Sequence, residues 1–363
     1  MNTALFKQGI IAFCFIVISL ASTEVLVRVF CPEAIVRAFS KPDNDLGNIN
    51  RPNQRYYDRV GSKYYTYHVN TNEYGLRMNQ PVDVASQRKK IMAVGGSTLF
   101  GWGVEIEDSY YDLLRVTAEA NTSIQFLNGG NGGYVSGHVL KSLKRFSKMF
   151  EYNAVVYFLY AADVRTNARL KDVYTYIRTE EGIDLQEKKV YSPFKEALYA
   201  NRFYVWLNQH SYLFVKLKQN FISSKPEALL VDLERSDANR SEDDELAIDV
   251  TMAFIDQIIK YCESIDVPLA LIWVPVPSEF SDTDLDKLFY HKFKDVLKAR
   301  VTDLETTFFY DPTEVFGERI RTLNTGLNSV YYSEGHLTTL GNRLYAESAE
   351  AAVDSFISFV IKE

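Results

Sequence analysis

The sequence predicts an α/β protein, a parallel sheet covered by helices on both faces. Three features predict it. Short apolar runs alternate with stretches of helical periodicity through much of residues 89–363. The run Ala154-Val155-Val156-Tyr157-Phe158-Leu159-Tyr160 has no polar face, as a central strand buried on both sides requires. Ser97, Gly133 and Ala162 each follow an expected strand end, where the reactive groups of such sheets gather.

The elements follow in chain order. Lys7 precedes fourteen uncharged residues, 9–22, and apolar character resumes past Glu24 at Val25-Leu26-Val27. The run reaches the ~20 residues of a transmembrane helix if Glu24 sits at the interface. Residues 1–30 are read as an uncleaved signal anchor, with the body of the protein exported. A cleaved signal peptide is the alternative, since Ser19-Leu20-Ala21 offers small residues to a peptidase. A buried core helix is the remaining alternative. Residues 31–88 are expected to be an irregular lead-in, with Pro32, Pro42, Pro52 and Pro81, a tyrosine cluster, and turn chemistry around Gly75.

The sheet domain follows at 89–363. Strands are expected at 90–94, 124–127, 154–160, 268–274 and 308–310. Helices are expected at 110–120, 137–150, 246–264, 284–299 and 339–359. In the 246–264 segment Ile248, Met252, Ile255, Ile258 and Ile259 recur at spacings of mostly three and four. Residues 165–245 break the rhythm and are expected to be an insertion over one edge of the core, either a lid or a packed face. Within it, 202–221 is aromatic and helix-like, and 236–245 is an acidic, turn-rich surface loop.

Composition narrows the function. A net charge of −7 without a basic cluster argues against nucleic acid as a partner. Cys14, Cys31 and Cys262 are too few and too scattered for a disulfide framework or a zinc site. No histidine and carboxylate cluster has metal-ligand spacing, so no metal and no cofactor is expected.

The chemistry-bearing stretch is Ile91-Met92-Ala93-Val94-Gly95-Gly96-Ser97-Thr98. An apolar strand stops at two glycines and delivers a serine, which is a poor nucleophile until a base takes its proton. A phosphate loop would need a Lys-Ser/Thr after the glycines, and Gly96, Gly101 and Gly103 do not make a dinucleotide fingerprint. Among the five histidines, His336 stands out. Glu334-Gly335-His336-Leu337 sets it after a turn glycine and before the last helix. His68, His210 and His291 have poorer contexts, and His138 is expected at a surface helix start.

With Asn128-Gly129-Gly130-Asn131-Gly132-Gly133-Tyr134 and the block 155–163 between them, these segments resemble, in order, the SGNH (GDSL-type) hydrolases. Residues 72–77 and Gly101-Trp102-Gly103-Val104 resemble its membrane-anchored bacterial members. The resemblance covers about 70–163 and 246–361. It implies a flavodoxin-like three-layer α/β/α sandwich with an N-terminal transmembrane helix, Ser97 as nucleophile and His336 as base. It also implies an oxyanion hole made by the backbone N–H groups of Ser97 and Gly133.

The chain departs from the family at three places. Gly96 stands where the family has an acid, Ala162 where it has an oxyanion-binding Asn, and Ser333 where it has the acid three residues before the histidine. Glu334 could orient His336 only if that turn is rearranged. The leading expectation is a serine esterase acting on an O-acetylated glycan or a lipid-like ester, anchored in the membrane by its N-terminal helix. The alternatives are an O-acyltransferase modifying an extracellular polysaccharide and a catalytically weakened carbohydrate-binding or assembly protein.

Overall fold

The structure, a computed structural model, describes residues 3–30, 40–60, 65–169, 171, 173–223, 237–280, 284–333 and 335–362. Helix α1 (Thr3–Phe30) opens the chain. Its segment Phe6–Phe30 is long and apolar enough to cross a membrane, and its side chains are not buried within the protein.

The lead-in is more regular than its prolines suggest. It holds two antiparallel hairpins, β1 (Ser40–Asp43) with β2 (Gly47–Asn50) and β3 (Gln54–Val60) with β4 (Tyr65–Thr71). The Asp43 carboxylate accepts from the amides of Asp45 and Leu46, closing the first turn, and Gly47 follows at φ +75°. In β4, Tyr67 and Val69 alternate inward and pack on Phe100. That two-residue period was readable in the sequence and outweighs the prolines.

The sheet domain then runs β5 (Lys89–Gly95), α2 (Ser97–Phe100), α3 (Tyr110–Asn121), β6 (Ile124–Asn128), α4 (Ser136–Phe146), β7 (Ala154–Tyr160) and α5 (Ala161–Arg169). A hairpin follows, β8 (Tyr174–Thr179) and β9 (Gly182–Glu187), and then α6 (Pro193–Ala200), α7 (Arg202–His210) and α8 (Tyr212–Ser223). The chain closes with α9 (Asp237–Ser264), β10 (Leu269–Val274), α10 (Asp284–Val301), β11 (Thr307–Tyr310), α11 (Thr313–Thr322), α12 (Leu327–Val330) and α13 (Thr339–Lys362).

The acidic stretch expected as a loop is helical from Asp237, as the opening turns of α9. Acidic side chains suit a helix N-terminus. Two of them also find cations: Asp244 takes a forked pair from Arg165 at 2.9 and 3.2 Å, and Glu245 pairs with Lys292.

Five strands form one parallel sheet in the order β11-β10-β7-β5-β6. Each strand sends alternate residues to opposite faces. Met92, Val94, Val155, Tyr157, Leu159, Leu271 and Trp273 meet α4, α9 and α10 through Val139, Ile255, Ile258 and Phe293. Ile91, Ala93, Val156, Phe158, Ala270 and Ile272 meet α3, α11 and α13 through Tyr110, Leu114, Phe316, Tyr345 and Phe356. Both faces are buried, which is why the strands read as continuous apolar runs. The result is a three-layer α/β/α sandwich. Counted from β5, the strand order is the flavodoxin-like 2-1-3-4-5, whose switch point lies between β5 and β7.

The chain forms two compact units. Among the described residues, those within 40–60, 65–191 and 237–362 make the sheet unit. Residues 192–223 group with 3–30 in the other, so the described part of the segment expected as one insertion is divided. Its hairpin packs on the sheet unit's core through Tyr176, Ile183 and Leu185, and its three short helices belong with α1.

Candidate active site

Ser97 is the first residue of α2, directly after β5 and beside the switch point. The turn that places it is crowded. A Cβ on Gly95 would meet the Phe158 carbonyl oxygen at 2.9 Å, and one on Gly96 the Tyr134 carbonyl oxygen at 2.6 Å. Neither position has room for a side chain.

Helix α2 ends at Gly101, whose φ of +78° carries the chain into a second left-handed residue, Gly103 at +85°. The lead-in holds this bend from beneath. The fully buried Arg77 guanidinium donates to the carbonyls of Phe100 (2.6 Å), Gly101 (2.5 Å), Val104 (2.8 Å) and His68 (2.9 Å). Burial lowers its pKa to about 10, so it stays charged at neutral pH.

His336 comes from the other end of the chain. The segment folds back on itself through the Tyr331–Leu337 bridge, the Tyr332 amide donating to the His336 carbonyl at 2.7 Å, and Gly335 at φ +90°. Two phenols fix the turn from outside. Tyr160 at the end of β7 donates to the Gly335 carbonyl, and Tyr332 to the Gly103 carbonyl, both at 3.0 Å. His336 Nε2 lies 2.7 Å from Ser97 Oγ. With the hydroxyl as donor, Nε2 is the unprotonated nitrogen and the ring proton is on Nδ1.

The other expected residues distribute as follows. Gly133 is exposed at φ +80° with open space where a Cβ would be, and the neighbouring Gly132 lies against the Trp102 ring. Trp102 in turn flanks the His336 ring at 6.2 Å. Glu334 lies outside the described residues. Ala162 is the second residue of α5 and presents a methyl group.

The side chains of Asn131 and Asn167 are engaged elsewhere. Asn131 Nδ2 faces the Asn48 carbonyl at 3.4 Å. Asn167 joins a buried network, accepting from the Ser136 amide at 3.1 Å and donating to the hydroxyls of Ser136 (2.8 Å) and Thr251 (3.1 Å).

Asp163 is buried behind the Ser97 turn. Its Oδ2 has no hydrogen-bond partner, and it lies 3.7 Å from where a Gly96 Cβ would sit. Burial raises its pKa well above the ordinary carboxylate value. Asp311 makes a turn just before α11, accepting from the Thr313 amide at 3.1 Å, and pairs with Lys294 at 2.9 Å.

His138 is not at the surface as expected. It is buried against Tyr134 at the start of α4, near the Val135 amide, and burial lowers its pKa to about 4. Among the described residues, no group of three or more His, Cys, Asp or Glu could hold a metal ion.

Sequence reasoning missed the supporting residues Arg77, Tyr160 and Tyr332, and the placement of Trp102. The one readable signal was Gly101-Trp102-Gly103, where flanking glycines mark a bend that sets a large ring beside His336.

No family model matches the chain, and no curated protein matches it. Solved structures do. A lipolytic G-D-S-L family protein from Veillonella parvula DSM 2008 is 14% identical, covering 72% of this chain and 96% of its own, with a TM-score of 0.38. A catalytic mutant of an acetylxylan esterase from Geobacillus stearothermophilus is 12% identical, covering 73% and 94%, with a TM-score of 0.38. An α/β hydrolase from the metagenome of Lake Arreo, Spain, is 13% identical, covering 74% and 96%, with a TM-score of 0.42. These are likenesses of backbone course.

Proposed function

We propose that this chain is a serine esterase of the SGNH type, anchored by α1 with its sheet unit exported. The observation that carries the reading is the 2.7 Å contact between Ser97 Oγ and His336 Nε2 at the switch point of a 2-1-3-4-5 sheet. Ser97 Oγ attacks the ester carbonyl carbon while His336 takes its proton. The carbonyl oxygen becomes an oxyanion held by the backbone N–H groups of Ser97 and Gly133. Collapse breaks the ester C–O bond, and the leaving alkoxide takes the proton from His336. Water then attacks the acyl-enzyme with His336 as base, releasing the acid and restoring the serine. Glu334, two residues before His336, is the group proposed to orient the imidazole.

The substrate class we propose is an O-acetylated glycan, because the Trp102 ring beside His336 offers the flat apolar face on which a sugar ring can lie. Passing the same acyl group to a sugar hydroxyl instead of water is the second reading, favoured by the same ring. A fluorophosphonate should label the wild type covalently, not label Ser97→Ala, and label His336→Ala far more slowly. Absence of labelling at every pH would defeat both readings and leave a binding protein. Where labelling occurs, release of acetate in water against transfer to an added oligosaccharide separates hydrolase from transferase. A C-terminal periplasmic reporter tests the exported placement.

A further inference from the structure

The helices α6, α7 and α8 leave large apolar side chains in the open. Phe194, Phe203, Trp206 and Leu217 are 76, 67, 51 and 48% exposed. Single exposed hydrophobes are ordinary, but a set of them on three consecutive short helices marks a surface that meets something apolar. Phe203 stacks on Trp206 and Trp206 on His210, with centroids 6.2 and 5.3 Å apart. The same helices carry Lys195, Arg202, Lys216 and Lys218 against one acid, Glu196, a net +3 within a chain of −7.

The helices that carry these rings and cations are fastened to the end of α1 at the α7–α8 corner. Glu24 accepts from the amides of Tyr212 (2.8 Å) and Leu213 (3.0 Å) and from the Ser211 hydroxyl (2.8 Å). It therefore satisfies the open N–H groups at the start of α8. Arg28, one turn on, pairs with Glu24 at 2.8 Å and donates to the His210 carbonyl at the end of α7 at 2.7 Å. Two charges that look out of place in an apolar helix thus hold the corner between α7 and α8.

Helix length sets the depth of that corner. From Phe6 to Glu24 an α-helix rises about 27 Å, close to the roughly 30 Å of a bilayer's hydrocarbon core. With Phe6 at one boundary, Glu24 and the corner it holds lie at the other, level with the headgroups. Tryptophan and other amphipathic rings concentrate there, and lysine and arginine are drawn to anionic lipid.

We propose that α6, α7 and α8 form an interfacial collar lying in the headgroup layer of an anionic bilayer beside the exit of α1. The proposal rests on reading α1 as a membrane anchor, and the test separates the two. Full-length protein carrying one spin label is placed in nanodiscs of phosphatidylcholine and phosphatidylglycerol. The label sits at native Cys14 in α1, at Trp206→Cys, at Leu217→Cys, or at Leu323→Cys in the sheet unit, with the other cysteines replaced. Accessibility to oxygen is compared with accessibility to a water-soluble nickel chelate.

The expected result is a lipid-embedded label at Cys14 and an oxygen-to-nickel ratio at 206 and 217 about threefold above that at 323. Replacing phosphatidylglycerol by phosphatidylcholine, or combining Lys195→Gln, Arg202→Gln and Lys216→Gln, should lower the ratio at 206. A lipid-embedded Cys14 with 206 and 217 as water-exposed as 323 would overturn the collar and leave the anchor standing. A water-exposed Cys14 would overturn the anchor, and the collar with it.

Discussion

The loops that leave β5 and β7 face each other across the switch point, yet they hold polar groups in opposite ways. After β5, Gly95 and Gly96 turn the chain so that the Ser97 hydroxyl meets His336 at 2.7 Å. After β7, Ala161 and Ala162 contribute methyl groups, and the next polar group, Asp163, is buried with Oδ2 unpartnered. One loop presents a hydroxyl paired with an imidazole, while its neighbour has no side-chain donor at Ala162 and keeps its carboxyl inside. A switch point is a place where polar groups gather without fixing which of them are present.

The largest effect is expected from removing either member of the Ser97–His336 pair. In the esterase reading, Ser97→Ala and His336→Ala should each lower kcat by on the order of 10⁴ to 10⁶, because residues that act as a unit fail together. Steady-state hydrolysis of an activated acetyl ester measures this. Similar loss in the two single variants and in the double variant is the expected pattern.

Next comes the attempt to make the poorer loop resemble the richer one. Ala162→Asn restores an amide donor at the place where the resemblance puts one, and a single oxyanion donor is worth on the order of 10² to 10³ in rate. We expect kcat to rise by at least about tenfold with KM little changed, the signature of an interaction made in the transition state. An unchanged kcat would mean that the oxyanion is already fully held.

A smaller effect is expected where the turn after β5 meets the loop after β6. Gly96→Ala places a Cβ 2.6 Å from the Tyr134 carbonyl oxygen, so backbone must move. Overpacking of this kind costs about 1–3 kcal/mol, readable as a lowered midpoint in urea. Activity should fall as well, because the shift displaces Ser97 relative to His336.

What the sequence revealed follows from the range of each interaction. The strands were legible because burial on both faces leaves no polar positions, and the run at 154–160 coincides with β7. Ser97 and His336 could be named because each sits in a local turn signature, although 239 positions separate them. The lead-in hairpins were obscured by Pro42, which lies within β1 opposite Asn48, and by Pro52 in the turn before β3. The grouping of α6, α7 and α8 with α1 depends on Glu24 and Arg28 meeting amides and carbonyls nearly two hundred residues away. The reason for glycine at 96 is a carbonyl of residue 134. Such contacts leave no periodicity to read.

The smallest effect concerns Asp163 and tests whether the β7 loop holds its acid uncharged. Burial raises the folded-state pKa above the unfolded value, so between those two values the native chain keeps a proton that the unfolded chain has released. Stability from this group is therefore fully present below the unfolded pKa of about 4 and is lost as pH rises toward the folded pKa. Asp163→Asn keeps the shape and removes the titration. Its unfolding free energy should match the wild type near pH 4 and exceed it increasingly as pH rises, by on the order of 1–3 kcal/mol at neutral pH. Urea denaturation of both proteins across pH 4 to 8 gives the difference directly. A difference that stayed flat with pH would mean that Asp163 is as ionised in the fold as in the unfolded chain. The contrast between the two loops would then be one of geometry alone.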